Sequence, residues 1–239
     1  MKAIDESFCK QVVGRLADIL PAKASLHEPR LEGNENKYVS DCVQSGWVSS
    51  VGSYVDRFEA DLQKFTGASH AVAISNGTSA LHLALLLAGV NSEDEVLTPA
   101  LSFIATANAI SYCGAVPHFI DSESVSLGVD ADKLDEYLSA NSSQKNGVCV
   151  NTQTGAKIKA LVCMHVLGHP VNLDKLVSVC KKHRLKLIED AAESLGSYYK
   201  GQHTGNHGIL SALSFNGNKI ATTGGGGAIL TNNPELAAR

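Results

Sequence analysis

The chain has 239 residues, 44% of them hydrophobic and 18% charged, with a formal net charge of -4. That is enough length and apolar content to bury a core, which excludes a disordered chain. The weak negative charge leaves no basic footprint for nucleic acid and no draw toward an anionic membrane.

The N-terminus alternates charged and apolar residues, unlike a signal peptide. Asp5 to Leu20 carries an apolar stripe at Phe8, Val12, Val13, Leu16, Ile19 and Leu20 and is closed by Pro21. It predicts a helix docked on the body of the fold. Leu26 to Gly33 is polar and irregular, and Glu35 to Gln44 reads as a short helix. Ser45 to Gly52 is a loop with two glycines around Trp47, the only tryptophan, which can either pack or border a site. Tyr54 to Phe65 is an amphipathic helix ended by Gly67.

From residue 70 strand and helix alternate, the signature of a mostly parallel sheet covered on both faces. Ala71 to Ile74 is a buried strand, Asn76 to Ser79 a turn, and Ala80 to Ala88 a helix. The apolar run from Ala80 to Val90 is too short to span a bilayer. Glu95 to Leu97 is a second strand, followed by a helix from about Phe103 to Cys113. Val116 to Asp121 is a third strand, and Asp130 to Leu138 a capped helix. Ser139 to Lys157 is polar enough to be a surface insertion. Ile158 to Met164 and Leu185 to Glu189 are strands flanking a helix from Leu173 to His183. Short β pieces follow through Tyr198, then strands around Leu213 and Ile229. The six cysteines, Cys9, Cys42, Cys113, Cys149, Cys163 and Cys180, are scattered without a CxxC pair. They read as reduced core residues of a cytoplasmic protein, neither a disulfide frame nor a metal site.

Two stretches carry chemistry. Ser211 to Leu230 runs an apolar strand into a polar turn, then Lys219, then four glycines from Gly224 to Gly227 and another apolar run. A lysine among hydroxyl and amide side chains beside a glycine-rich loop suits a reactive amine with room for a planar ligand. Leu185 to Glu193 is a strand ending in acids, where an open α/β sheet places its chemistry. Together they ask for an aldehyde cofactor, held by Lys219 and paired through Asp190 with its pyridinium nitrogen. Gly77, Thr78 and Ser79 stand between strand and helix, where N–H groups and hydroxyls favour an anion. A plain N-cap using Thr78 or Ser79 explains the same residues. Ser214 and Asn216 are further donors and favour a phosphate. Phe103 taken alone reads as core. His165 has no partners at metal-ligand spacing. The glycine run lacks the strand–GxGxxG–helix order of a dinucleotide loop.

Five motifs stand in order: Gly46 to Glu59, Ser75 to His82, Pro99 to Asn108, Glu189 to Glu193 and Ser214 to Lys219. With them, the stretch from about His27 to Leu230 resembles the DegT/DnrJ/EryC1/StrS sugar aminotransferases, which use pyridoxal 5'-phosphate. It is most similar to the branch acting on nucleotide-linked 4-keto-6-deoxy sugars, as in legionaminic acid and bacillosamine-type pathways. The resemblance implies an α/β fold: the large domain of a fold type I aminotransferase, a mostly parallel central sheet with helices on both faces. An N-terminal helical segment at about 1–66 and an α/β core at about 67–239 would form one cofactor-binding domain, with the chain stopping before a smaller C-terminal domain.

For the site, the resemblance implies that Gly77, Thr78, Ser79, Ser214 and Asn216 take the cofactor phosphate. Phe103 would lie flat on the ring and Asp190 against the ring nitrogen, with His165 close to the cofactor but one layer behind its direct contacts. Glu193 would face the phenolic oxygen, where relatives often carry glutamine. Lys219 would hold the aldehyde and shuttle a proton during amino transfer; related dehydratases carry histidine at that position. Trp47, Ser49 and Ser50 would border the sugar, with their loop reaching a neighbouring subunit's site in a homodimer. The implied reaction converts a nucleotide-linked keto sugar to its 4-amino sugar with an amino-acid donor, the partners being glutamate and the sugar nucleotide, without nucleic acid or membrane. The alternative is a remnant that binds cofactor or a partner subunit without turnover.

Overall fold

The computed structural model describes residues 5–23, 25 and 27–239. Residues 1–4, at the start of the expected helical segment, and Leu26, at the head of the expected irregular stretch, lie outside the described residues.

Helix α1 (Glu6–Ile19) starts where the Asp5 carboxylate accepts from the N–H groups of Ser7 and Phe8, a side-chain N-cap. The expected docking of this helix does not occur. None of its residues is buried, and its apolar stripe faces outward. Helices α2 (Glu35–Ser45) and α3 (Ser53–Thr66) each end on a glycine in the left-handed region, Gly46 at φ 77° and Gly67 at φ 75°. Helix α3 puts Phe58 and Leu62 into a cluster with Ala71, Leu213, Phe215 and Leu230.

The sheet begins with β1 (His70–Ile74), which leads into α4 (Gly77–Leu87), and β2 (Glu95–Pro99), which leads into α5 (Ile104–Tyr112). Then come β3 (Val116–Ile120), α6 (Ala131–Asn141), β4 (Ser142–Lys145), β5 (Val148–Asn151) and β6 (Lys157–Met164). Helix α7 (Leu173–His183) and β7 (Lys186–Asp190) follow, then the small β8 (Tyr198–Tyr199) and β9 (Gln202–His203) hairpin. Strands β10 (Leu210–Ser214) and β11 (Gly227–Thr231) and helix α8 (Pro234–Ala238) complete the described order. Strands run β1-β11-β10-β7-β6-β2-β3 across the sheet. The pairs β10–β7, β7–β6, β6–β2 and β2–β3 are parallel; β11 is antiparallel to both its neighbours.

Consecutive residues of the central strands enter opposite cores, as a period of two requires. Ala160 and Val162 pack with α4 and α5, whereas Leu161 and Cys163 pack with α6 and α7. Burial on both faces is why these strands read as nearly continuous apolar runs. Cys149, Cys163 and Cys180 are core residues as expected, but Cys9 is exposed and Cys42 and Cys113 are only partly buried.

The expected surface insertion at Ser139 to Lys157 is instead the end of α6 followed by a β-hairpin. Strand β5 pairs with the start of β6, and Cys149, Val150 and Asn151 are buried. Asn146 (φ 51°) and Gly147 (φ 80°) make the turn, a pair suited to positive φ at both central positions of a two-residue hairpin. Asn151 then donates to the buried Glu95 carboxylate at the start of β2, at 2.9 Å. Among the described residues no helix is long and apolar enough to cross a membrane.

Candidate active site

The strand ends at Met164, Asp190 and Ser214, with the segments that follow β1 and β2, line one cavity of about 490 Å³. Open α/β sheets bind ligands outside the carboxyl ends of their strands because the following loops converge there.

At one end stands α4. Asn76 is its N-cap, with Oδ1 accepting from the Ser79 N–H at 2.8 Å. The cap is therefore neither Thr78 nor Ser79. Ser79 has its N–H committed to Asn76 and does not line the cavity, whereas Gly77 and Thr78 do. A Cβ on Gly77 would meet the Ser214 Cβ at 2.8 Å, so only glycine lets the helix start come this close to β10. Ser214 and Asn216 line the same end, together with Asn218, which its flanking sequence does not single out. Helix N–H groups, amides and hydroxyls converge there, a donor set suited to a phosphate.

Asp190 lies deeper, 3% exposed. Its Oδ2 accepts from the Thr106 hydroxyl at 2.7 Å and its Oδ1 from the Ala192 N–H at 3.2 Å. Burial pushes its pKa up; the Thr106 and Ala192 hydrogen bonds and the Lys219 charge oppose that shift without cancelling it. Thr106 falls within the Pro99 to Asn108 motif, one turn beyond Phe103, but nothing in its side chain alone announced a role.

Lys219 follows β10 in the polar turn, with a 15% exposed side chain. Its Nζ donates to Glu193 Oε1 at 3.0 Å and lies 5.9 Å from the centroid of the Phe103 ring. Phe103 is 67% exposed at the start of α5, so it is not core and leaves a ring face free in the cavity. The wall also includes Met164, Val166 and Leu167.

Two groups of expected site residues stand apart from this cavity. His165 is fully buried behind the wall rather than beside the cavity space, its ring turned to Glu189. Trp47, Ser49 and Ser50, expected at a neighbouring subunit's site, do not line this chain's own cavity. Trp47 is 59% exposed and packs against Gly52, while Ser49 and Ser50 border a second cavity of about 620 Å³ with Tyr38, Tyr54 and Arg57. The glycine run edges that second cavity. Gly227 lies so close to the Asn76–Gly77 peptide that a Cβ would stand 2.5 Å from the Asn76 carbonyl carbon.

A lysine, a buried carboxylate, an exposed aromatic face and an anion-accepting helix start, all on one cavity, define the site of a pyridoxal-phosphate enzyme, and the residues present fit that cofactor. Residues 29–239 match the DegT/DnrJ/EryC1/StrS aminotransferase family, and the chain belongs to it; pyridoxal 5'-phosphate is the cofactor. The chain is 40% identical over 217 residues to the GDP-perosamine synthase of Caulobacter vibrioides, covering 91% of this chain and 54% of that protein. Among solved structures it is similar to a DegT DnrJ EryC1 StrS aminotransferase from Brucella abortus, with a TM-score of 0.79 at 27% identity over 95% of this chain and 56% of that one. It is also similar to Helicobacter pylori PseC, an aminotransferase involved in the biosynthesis of pseudoaminic acid, with a TM-score of 0.75 at 29% identity over 90% of this chain and 53% of that one. The chain thus spans about half the length of the curated relatives it matches.

Proposed function

We propose that this chain binds pyridoxal 5'-phosphate at Lys219 and serves the transamination of a nucleotide-linked 4-keto-6-deoxy sugar to its 4-amino sugar, with glutamate as amino donor. The observation that carries this reading is that Lys219, Asp190 and the free face of Phe103 share one cavity with the N-terminus of α4. The relative named for GDP-perosamine supports a nucleotide-linked sugar as substrate.

When bound, the cofactor supplies an aldehyde that carries the amino group and a ring that accepts electrons. Gly77, Thr78, Ser214 and Asn216 hold its phosphate, and Phe103 fixes the ring plane by stacking. Asp190 would keep the ring nitrogen protonated, and Glu193 would face the phenolic oxygen. Lys219 would anchor the aldehyde and serve as general base and acid for the proton at the reacting carbon. Trp47, Ser49 and Ser50 border the sugar from a neighbouring subunit, which makes the working unit a homodimer with shared sites. Their distance from this chain's own cavity and the outward-facing Trp47, Val48 and Val51 support that arrangement. Residues 67–239 form the cofactor-binding core, residues 1–66 its helical flank, and the cytoplasm is the compartment.

Loading with pyridoxal 5'-phosphate is expected to give a visible absorbance band that Lys219→Ala abolishes. Glutamate is then expected to convert the bound cofactor to its amine form, and the keto sugar to convert it back. Loading without any response to glutamate would leave a cofactor-binding remnant and overturn the catalytic reading.

A further inference from the structure

Glu189 is fully buried on the face of β7 opposite Asp190, and it touches no part of the cavity. Its carboxylate nevertheless accepts four hydrogen bonds. Oε1 takes the N–H groups of His207 at 2.8 Å and Gly208 at 2.6 Å. Oε2 takes the Gly205 N–H at 2.8 Å and His165 Nε2 at 3.0 Å. Burial alone would push its pKa up, but His165 and the Gly208 and Gly205 N–H groups outweigh that and hold it below the ordinary glutamate value. A buried carboxylate so fully supplied with donors stays ionised.

The contact fixes His165 in one orientation. Nε2 donates to Glu189, and Nδ1 accepts from the Val171 N–H at 3.4 Å. His165 also donates its backbone N–H to the Asp190 carbonyl at 3.2 Å. From His165 the chain enters a tight turn over Val166–Gly168, closed by Gly168 N–H to the His165 carbonyl at 3.1 Å and His169 N–H to the Val166 carbonyl at 2.9 Å. Within it Leu167 has φ 50°, a left-handed backbone that a leucine adopts only when its surroundings over-determine it. Gly168 presses on Glu193 so closely that a Cβ would stand 2.8 Å from the Glu193 carbonyl oxygen.

We propose that Glu189 is a positioning residue for the candidate active site: through His165 it pins the Val166–Gly168 turn against the backbone of Glu193 and thereby sets the wall beside Lys219. Val166 and Leu167 are that wall, and Glu193 is the residue that meets the lysine. The inference rests on the cofactor reading of the cavity, and its test separates the two.

The amide nitrogen of a glutamine can take the place of His165 Nε2, whereas an asparagine reaches only the place of Nδ1. His165→Gln therefore keeps the donor to Glu189, and His165→Asn removes it. In the cofactor-free full chain, hydrogen exchange at the Gly168 and His169 amides is expected to speed up about tenfold in His165→Asn and to stay near wild type in His165→Gln, the loss expected for a hydrogen bond to a charged group. The dissociation constant for pyridoxal 5'-phosphate at 25 °C is expected to rise about tenfold in His165→Asn and in Glu189→Gln, and the double variant to be no worse than the worse single one. If both single variants lower only the melting temperature, with exchange and affinity at wild-type values, the role is merely structural and the inference fails. A wild-type chain that takes up no pyridoxal 5'-phosphate sinks the cofactor reading instead, and the exchange pair still decides whether Glu189 holds the turn.

Discussion

Two buried carboxylates stand at opposite ends of the parallel strands, Glu95 at the first residue of β2 and Asp190 at the last residue of β7. Glu95 takes His118 Nδ1 at 2.8 Å and Asn151 Nδ2 at 2.9 Å on one oxygen, and the Thr154 hydroxyl at 2.6 Å on the other. Burial pushes its pKa up, but the Asn151, Thr154 and His118 contacts reverse the shift and hold it below the ordinary value. Asp190 has one hydroxyl and one long N–H contact, and burial wins there. A buried acid whose oxygens are fully partnered is a tie between elements. One left short of donors and facing a cavity is waiting for a ligand that brings one.

The contrast is broken most severely at Glu95. Glu95→Ala leaves Asn151, His118 and Thr154 without their shared acceptor and is expected to cost about 3 kcal/mol of unfolding free energy. Because the folded pKa is lowered, the contribution of Glu95 is present above the ordinary glutamate value and is lost as pH falls through the folded one. Chemical denaturation at a series of pH values should show that loss in wild type and not in the variant. Cofactor affinity at a temperature well below melting should not change, since the cluster sits at the other end of the sheet.

Asp190 should behave in the opposite sense. Its folded pKa is raised, so in the cofactor-free chain its contribution is fully present below the ordinary aspartate value and is lost as pH rises through the folded one. Asp190→Asn removes that loss, and the cofactor-free variant is expected to melt higher than wild type at neutral pH. On the proposed reading the same change would deprive the ring nitrogen of its anion and should slow the glutamate half-reaction by roughly a hundredfold. A variant both less stable without cofactor and undiminished in rate would overturn the division between the two acids.

How far this pair could be foreseen differs for physical reasons. Asp190 ends an apolar strand in the company of Glu189 and Glu193, and strand-end acids are visible in a linear pattern. Glu95 also heads a strand, but its partners come from three other places, His118, Asn151 and Thr154, and two of them belong to the hairpin region that reads as polar insertion. The alternation of strands and helices from residue 70 was legible because each central strand is apolar on both faces. The hairpin was not, since Ser142–Lys145 is polar and only Asn146–Gly147 marks it. At the site, Lys219, Asp190 and the α4 start come together as their local sequences suggest, whereas Phe103 alone reads as core and only the resemblance pointed it at the cavity. His165 stands one layer behind the cavity, and its partner Glu189 was not legible because a strand-end histidine looks the same whether its ring faces the cavity or the opposite core. The loop of Trp47 was likewise beyond local pattern, since where it lies depends on how α2 and α3 are set on the sheet.

The finest test of the contrast acts on Asp190 through its one side-chain donor. Thr106 is 1% exposed, and its hydroxyl accepts from Ser102 at 3.1 Å while donating to Asp190. Thr106→Val keeps the shape and removes the donor, although the methyl is not a neutral exchange for a hydroxyl in a polar niche. With one opposing contact gone, burial should drive the Asp190 pKa further up, so the loss of stability with rising pH begins at a higher pH than in wild type. On the proposed reading the ring N–H of a bound cofactor would still meet the carboxylate, so the half-reaction should slow only about threefold, the net worth of one ordinary hydrogen bond. A titration of Asp190 by carboxyl NMR in wild type and variant would read the shift directly. An unmoved titration would mean that Thr106 supports α5 rather than the acid, and that the donor shortage at Asp190 is set by burial alone.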